Sequence, residues 1–233
     1  MKVTEAGNAK EFQGVLNEMS LNASLRSPYL VNCEEVFERA GQLYVILEYV
    51  PDGTLGGIAQ DFHSEYSEAF CKYSIWSIVQ GLYHMHQSRV WHRDIKPANV
   101  LIDRKNRSVK IADLGLSVFH KDNRKKRATH LGTPYYAAPE ILGGNKYTEK
   151  CDVFSLGCLA YELAMGYPPF ANQIPKEFLL VTLKFNVLPI SDRFSTEFKN
   201  FVARCCIKEP RDRPTIIELL NDPFLAGGGS QEC

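Results

Sequence analysis

Nothing in this chain narrows its possible folds as much as the stretch Trp91-His92-Arg93-Asp94-Ile95-Lys96-Pro97-Ala98-Asn99-Val100-Leu101. It sets an acid, a base and an amide within one short loop, and Pro97 stiffens the turn between them. Val90 and Trp91 precede the charged residues, and Val100, Leu101 and Ile102 follow them. That pattern predicts two short buried strands gripping an exposed, charged loop.

A second anchor is Asp113-Leu114-Gly115, which follows the apolar strand-like run Val109-Lys110-Ile111-Ala112. A carboxylate at a strand end can reach a metal when the next glycine lets the backbone turn away. The third anchor is Ala138-Pro139-Glu140. Each one alone reads as a solvated loop aspartate or a turn proline; the three together, in this order, do not. The set H-R-D-x-x-x-x-N, D-L-G and A-P-E resembles the eukaryotic protein kinase family of serine/threonine type. Leu114 stands where that family usually has Phe, and a leucine still fills an apolar slot. The resemblance implies an α+β, bilobal protein-kinase-like fold with an incomplete N-terminal β-lobe and a mainly helical C-lobe. Residues 1–225 would be the kinase domain, with an N-lobe remnant at 1–50 and a C-lobe at 54–225. Residues 226–233, rich in glycine, read as a flexible tail.

Composition agrees with a globular domain. The 233 residues are 45% hydrophobic and 23% charged, enough to bury a real core. The formal net charge is zero, so the overall balance gives no argument for nucleic acid or an anionic membrane as partner. The seven cysteines form no C-x-x-C pair and read as free thiols in a reducing compartment. The N-terminal residues lack the apolar core of a signal peptide, and no run of about twenty apolar residues exists. The expected location is intracellular: cytoplasmic, with the nucleus left open.

Taken in order, Met1-Lys2-Val3 looks like the end of the family's A-x-K-V strand. Asn8 with Glu11 forms a capping box, and Phe12, Val15, Leu16, Met19 and Ala23 then recur at helical spacing, with Glu18 beside the stripe. That helix ends before Ser27-Pro28. The Gly-rich loop that the family places before this lysine is not in the sequence, so the expectation is a chain shortened at that end, by truncation or by nature. Asn22 also departs from the family, which usually has an apolar residue there.

Leu43 to Tyr49 reads as a strand ending in the turn Pro51-Asp52-Gly53. By the resemblance it leads to the hinge, with Leu47 as gatekeeper and the backbone of Glu48 and Val50 facing adenine. A helix follows from about Ser67 to Gln87, with Phe70, Tyr73, Ile78, Leu82 and Met85 as its buried face. His84 and His86 on this helix read as packed residues without chemistry. The basic run between Leu116 and Gly132 reads as a solvated loop. A further helix is expected over 150–165, apolar nearly all round and therefore buried, with Asp152 a costly charge unless paired. Thr215 and Glu218 cap a final helix.

The implied activity is that of a protein serine/threonine kinase transferring the γ-phosphoryl of ATP to a protein hydroxyl, with Mg2+. Asp94 would take the hydroxyl proton and Lys96 would neutralise charge on the γ-phosphate. Asn99 and Asp113 would hold the metal. The nucleotide set would be Lys2, Glu18, Glu48, Val50, Leu101, Asn99 and Asp113. Thr129 stands where many members carry an activating phosphate from an upstream kinase or from autophosphorylation, and Arg93 would be one partner for it. Structural roles fall to Arg93, Thr133, Glu140, Asp152 and Arg213: Asp152 on the catalytic-loop backbone, Arg213 paired with buried Glu140. Lys96 and Thr133 favour Ser/Thr over Tyr, and Gly132-Thr133-Pro134-Tyr135-Tyr136 is most similar to the Ste-type and NIMA-related branches. The alternatives are a pseudokinase or scaffold with weak nucleotide binding and no turnover, and a metal-dependent hydrolase using Asp94 and Asp113. The hydrolase would leave Lys96, Asn99 and the A-P-E triplet unexplained.

Overall fold

The computed structural model describes residues 2–5, 25–39, 42–57, 66–113, 118–119, 134–169 and 188–229. Near the N-terminus, the run Gln42–Leu47 forms β3, the middle strand of a three-stranded antiparallel sheet between β1 (Lys2–Glu5) and β2 (Cys33–Arg39). The register places Lys2 opposite Val45 and Phe37 opposite Tyr44. The Phe37 and Tyr44 rings stack at 5.1 Å, the cross-strand aromatic contact that favours this pairing. The strand stops at Leu47 and not at Tyr49, because the Glu48 N–H leaves the ladder and donates to the Asn32 carbonyl at 2.9 Å.

The remainder is mostly helical. Helix α1 (Glu68–Gln87) starts where the Ser67 hydroxyl accepts the Phe70 N–H. A short α2 (Pro139–Leu142) precedes α3 (Lys150–Met165), which ends at Gly166 in the left-handed region, φ 79°. Helix α4 (Thr196–Cys205) is capped by Ser195, and α5 (Ile216–Leu219) carries the capping box of Thr215 and Glu218. As its all-round apolar sequence predicts, α3 lies in the middle of this mass, with nearly every residue buried. Its contact with α4 requires Gly157: a Cβ there would meet Cys205 Cβ at 2.7 Å. Gly81 plays the same part for α1, where a Cβ would come within 2.9 Å of the Ile111 side chain.

The buried face of α1 differs from expectation. Phe70 and Tyr73 are half-buried, whereas Cys71, Ser74, Ile75, Ser77 and Val79 are buried alongside Ile78, Leu82 and Met85. The helix is covered from more than one side, by α3 and by the strand Ser108–Ile111. Of the tail, residues 226–229 form a turn, with Gly228 N–H donating to Leu225 O and Gly228 and Gly229 lying against Trp76, while 230–233 lie outside the described residues. The six described cysteines are free and buried. Among the described residues, no helix is long and apolar enough to cross a membrane.

Candidate active site

The loop after Trp91 hangs between two ribbons. Strand β4 (Val90–Trp91) pairs with β7 (Val118–Phe119), and β5 (Val100–Asp103) pairs with β6 (Ser108–Ile111). The two strands flanking the loop are therefore formed as expected, but each pairs elsewhere. The loop is also far less exposed than its charges suggest. His92, Ile95 and Asn99 are buried, and the Asp94 side chain is only 11% exposed.

Its backbone is held from outside. Asp152, at the start of α3, accepts the N–H groups of His92 at 2.9 Å and Arg93 at 2.7 Å, and His86 Nε2 at 2.9 Å. Burial raises its carboxyl pKa, but the His86 contact and the backbone donors outweigh this and hold it below the usual carboxylate range. The same anchor keeps Arg93 at φ 66°, a conformation a non-glycine residue adopts only when its surroundings fix it. The Arg93 guanidinium donates to the Tyr147 hydroxyl at 3.0 Å.

His92 joins this loop to the strand that leads to Asp113. Its Nδ1 accepts the Asp94 N–H at 3.2 Å, which leaves the ring proton on Nε2 to donate to Ala112 O at 3.0 Å. Burial depresses the pKa of His92, consistent with this neutral tautomer. The Ala112 N–H donates in turn to Asn99 O at 2.8 Å. Ala112, the residue before Asp113, is thus bonded by the loop through both its N–H and its carbonyl, and Asp113 itself is exposed at φ 60°.

Within the loop, the Asp94 carboxylate accepts Lys96 Nζ at 2.7 Å and Asn99 Nδ2 at 2.9 Å. Asn99 Nδ2 also donates to Asp94 O at 2.8 Å. With Nδ2 committed twice to Asp94, the amide oxygen of Asn99 is turned to the other side. That oxygen and the Asp113 carboxylate are hard ligands. Among the described residues no group of three or more His, Cys, Asp or Glu could hold a metal. One amide and one carboxylate suit an ion such as magnesium, which takes few protein oxygens and fills its shell from water and phosphate.

Two further arrangements fix the surroundings. Arg213, fully buried, meets Glu140 in a fork of 2.8 and 3.1 Å and gives its other hydrogens to the carbonyls of Lys150, Ile207 and Lys208. This ties the A-P-E triplet to the far end of the helical mass. Next to it, Tyr136 donates its hydroxyl to Glu162, a half-buried carboxyl whose pKa burial pushes up. Ser155 Oγ donates to Tyr136 O at 2.8 Å.

On the other side, the chain from Asp52 to Thr54 runs along β5. Asp52 N–H donates to Ile102 O at 3.1 Å, Ile102 N–H to Gly53 O at 3.0 Å, and Thr54 bridges to Leu101. Glu48, Val50 and Leu101 are half-buried, and the Glu48 carboxylate meets Lys110, the residue opposite Leu101 in the β5–β6 ribbon. Lys2 sits on β1, in register with the strand that leads to Glu48. Glu18, Asn22, Leu114, Thr129 and Thr133 lie outside the described residues. The sequence reading missed His86 as the partner of Asp152 and Lys110 as a partner of Glu48. No local pattern marks either, since the residues in each pair are 66 and 62 positions apart.

The profile of the family described as protein kinase domain matches residues 1–225. Among similar proteins, serine/threonine-protein kinase dst4 of Dictyostelium discoideum is 33% identical over 89% of this chain and 44% of its own length. Serine/threonine-protein kinase Nek5 of Mus musculus is 32% identical over 96% of this chain and 36% of its own. Serine/threonine-protein kinase CLA4 of Saccharomyces cerevisiae is 35% identical over 91% of this chain and 26% of its own. The chain thus spans less than half the length of these curated relatives.

Proposed function

This chain belongs to the protein kinase domain family, and from that premise we propose that it transfers the γ-phosphoryl group of ATP to serine or threonine hydroxyls of protein substrates. The observation that carries this reading is the Asp94 carboxylate, fixed by Lys96 and Asn99 on a loop whose backbone a buried aspartate holds. Phosphoryl transfer asks a protein for positioning and charge neutralisation more than for covalent chemistry. The substrate hydroxyl oxygen bonds to the γ-phosphorus as the bond to the ADP oxygen breaks, and Asp94 receives the hydroxyl proton. Lys96, beside Asp94, offsets the charge on the transferring group. Asn99 and Asp113 hold magnesium, which when bound neutralises charge on the phosphate oxygens.

Leu101 and the backbone of Glu48 and Val50 receive the adenine, and Lys2 with Glu18 completes the phosphate side. Thr129 is the proposed site of an activating phosphate, with Arg93 as one of its ligands. The dst4, Nek5 and CLA4 names, all serine/threonine-protein kinases, support the Ser/Thr preference.

The test is transfer of labelled phosphate from Mg-ATP to a generic protein substrate, followed by phosphoamino-acid analysis. Phosphoserine or phosphothreonine is expected, and Asp94→Asn should lower turnover by about 10²–10⁴-fold. Turnover in that variant equal to the parent's would remove Asp94 from the role given to it.

A further inference from the structure

The segment Glu48–Val50 crosses between the N-terminal sheet and the helical mass, and its two ends are held by different means. After Val50 the hold is mostly main chain: Asp52 and Gly53 bond to Ile102 through the backbone, and the Asp52 carboxylate adds one bond from Arg104 N–H at 2.6 Å. Before Tyr49 the hold is a side-chain knot. The Glu48 carboxylate accepts Lys110 Nζ through one oxygen. Its other oxygen accepts Asn32 N–H at 3.2 Å and Asn32 Nδ2 at 3.0 Å. Asn32 O takes the Glu48 N–H in return. Between the anchors Tyr49 is 84% exposed.

Both partners of Glu48 are fixed to the strand that leads to Asp113. Lys110 belongs to β6, three residues before Asp113. The chain just before Asn32 is bonded to the same strand, with Val31 N–H donating to Ile111 O and Ile111 N–H to Tyr29 O, both at 2.9 Å. One carboxylate therefore refers the position of the Glu48 peptide to the β-ribbon under the metal candidates. Burial acts to raise its pKa, but the Lys110 and Asn32 donors more than offset this and hold Glu48 below its usual value, so the group is ionised at neutral pH.

Resting on the nucleotide reading above, we propose that Lys110 and Asn32 are positioning residues for the purine base, latching the Glu48 carboxylate so that the Glu48 carbonyl and Val50 N–H meet adenine in one register. The chemistry of the base gives the latch a consequence beyond affinity. Adenine presents a 6-amino donor to a carbonyl, whereas guanine presents an oxygen, and two acceptors in that place repel. A peptide held in register rejects guanine; a loosened peptide can rotate its carbonyl away and lose much of the discrimination. Neither side chain needs to touch the nucleotide.

The test measures binding of Mg-ATP and Mg-GTP to the full chain by calorimetry, for the parent, Lys110→Met, Lys110→Arg and Asn32→Leu. ATP affinity should fall by about tenfold in Lys110→Met and in Asn32→Leu, a size typical of coupling through one contact. GTP affinity should change far less, so that the ATP/GTP ratio drops. Lys110→Arg, which keeps the charge and the donor, should restore most of that ratio. In phosphotransfer the KM for ATP should rise while kcat stays within about twofold of the parent's. A merely structural role would lower the folded fraction and leave both the ratio and KM unchanged. If the parent binds ATP and both Lys110→Met and Asn32→Leu bind it with the parent's affinity and ATP/GTP ratio, the latch is overturned alone. If the parent binds no adenine nucleotide, the kinase reading falls and the latch with it. Should Lys110→Met fail to fold, Asn32→Leu, which breaks the same knot from its other side, decides between these outcomes.

Discussion

Two carboxylates, Glu140 and Glu48, each take a base from far along the chain, and the two surroundings could hardly differ more. Glu140 and Arg213 are 5% and 0% exposed, and every hydrogen-bonding nitrogen of the guanidinium is engaged. Glu48 and Lys110 are 26% and 12% exposed, at the edge of a segment whose next residue faces water. The buried pair cannot open without stranding a charge in the interior, so it acts on the stability of the whole helical mass. The partly exposed pair can open and be rehydrated at small cost, so it can set local geometry while contributing little to folding. The Asp152 cluster lies on the buried side of this contrast, since it holds the Asp94 loop with a fully buried carboxylate.

The contrast is broken most forcefully at Arg213. Arg213→Ala leaves Glu140 charged and unpaired, at a cost of about 3–5 kcal/mol, which is roughly a 10 °C drop in melting temperature for a domain of this size. A melting curve equal to the parent's would show that the pair is not a buried staple. Next comes Asp152→Asn. It removes the charge and points an amide hydrogen at donors, costing roughly 2–3 kcal/mol. Measured on folded protein, its turnover should fall as well, because the His92 and Arg93 amides lose their common acceptor. Unchanged kcat in folded Asp152→Asn would detach the anchor from the chemistry.

Acid should separate the members of the buried side. His92 has a folded pKa below its unfolded value of about 6.5. The unfolded chain therefore takes up the proton first, and stability declines as pH falls from about 6.5 through the folded pKa. Protonation also places a hydrogen on Nδ1, where the Asp94 N–H donates. For Asp152, whose folded pKa is also lowered, the stabilisation is present above the unfolded carboxylate value of about 3.9 and is lost as pH falls through the folded one. Melting temperature should thus fall in the mildly acidic range, and His92→Gln should flatten that part of the profile. An identical profile for the variant would exclude His92 as its origin. The smallest effect belongs to the exposed side: Lys110→Met should change stability by no more than about 1 kcal/mol. A loss as large as that of Arg213→Ala would erase the contrast.

Much of this molecule could be read along the chain because the determinants are local. The helix over Lys150–Met165, the glycine that ends it, the Thr215–Glu218 capping box and the turn at Pro51-Asp52-Gly53 each follow from residues within a few positions of one another. The same holds for the spacing of Asp94, Lys96 and Asn99, which a three-residue turn at Pro97–Asn99 converts into contact. Glu140 with Arg213, 73 positions apart, was legible only through the family resemblance. What only the tertiary structure decided are the partners that could have been many residues. His86 on Asp152, the tautomer of His92 and Lys110 on Glu48 depend on which surfaces α1, α3 and β6 present to one another. So does the burial of a loop whose charges alone suggested exposure. The contacts of His86, of His92 Nε2 and of Lys110 join positions 66, 20 and 62 residues apart, and a sequence period of two or 3.6 residues carries no record of them.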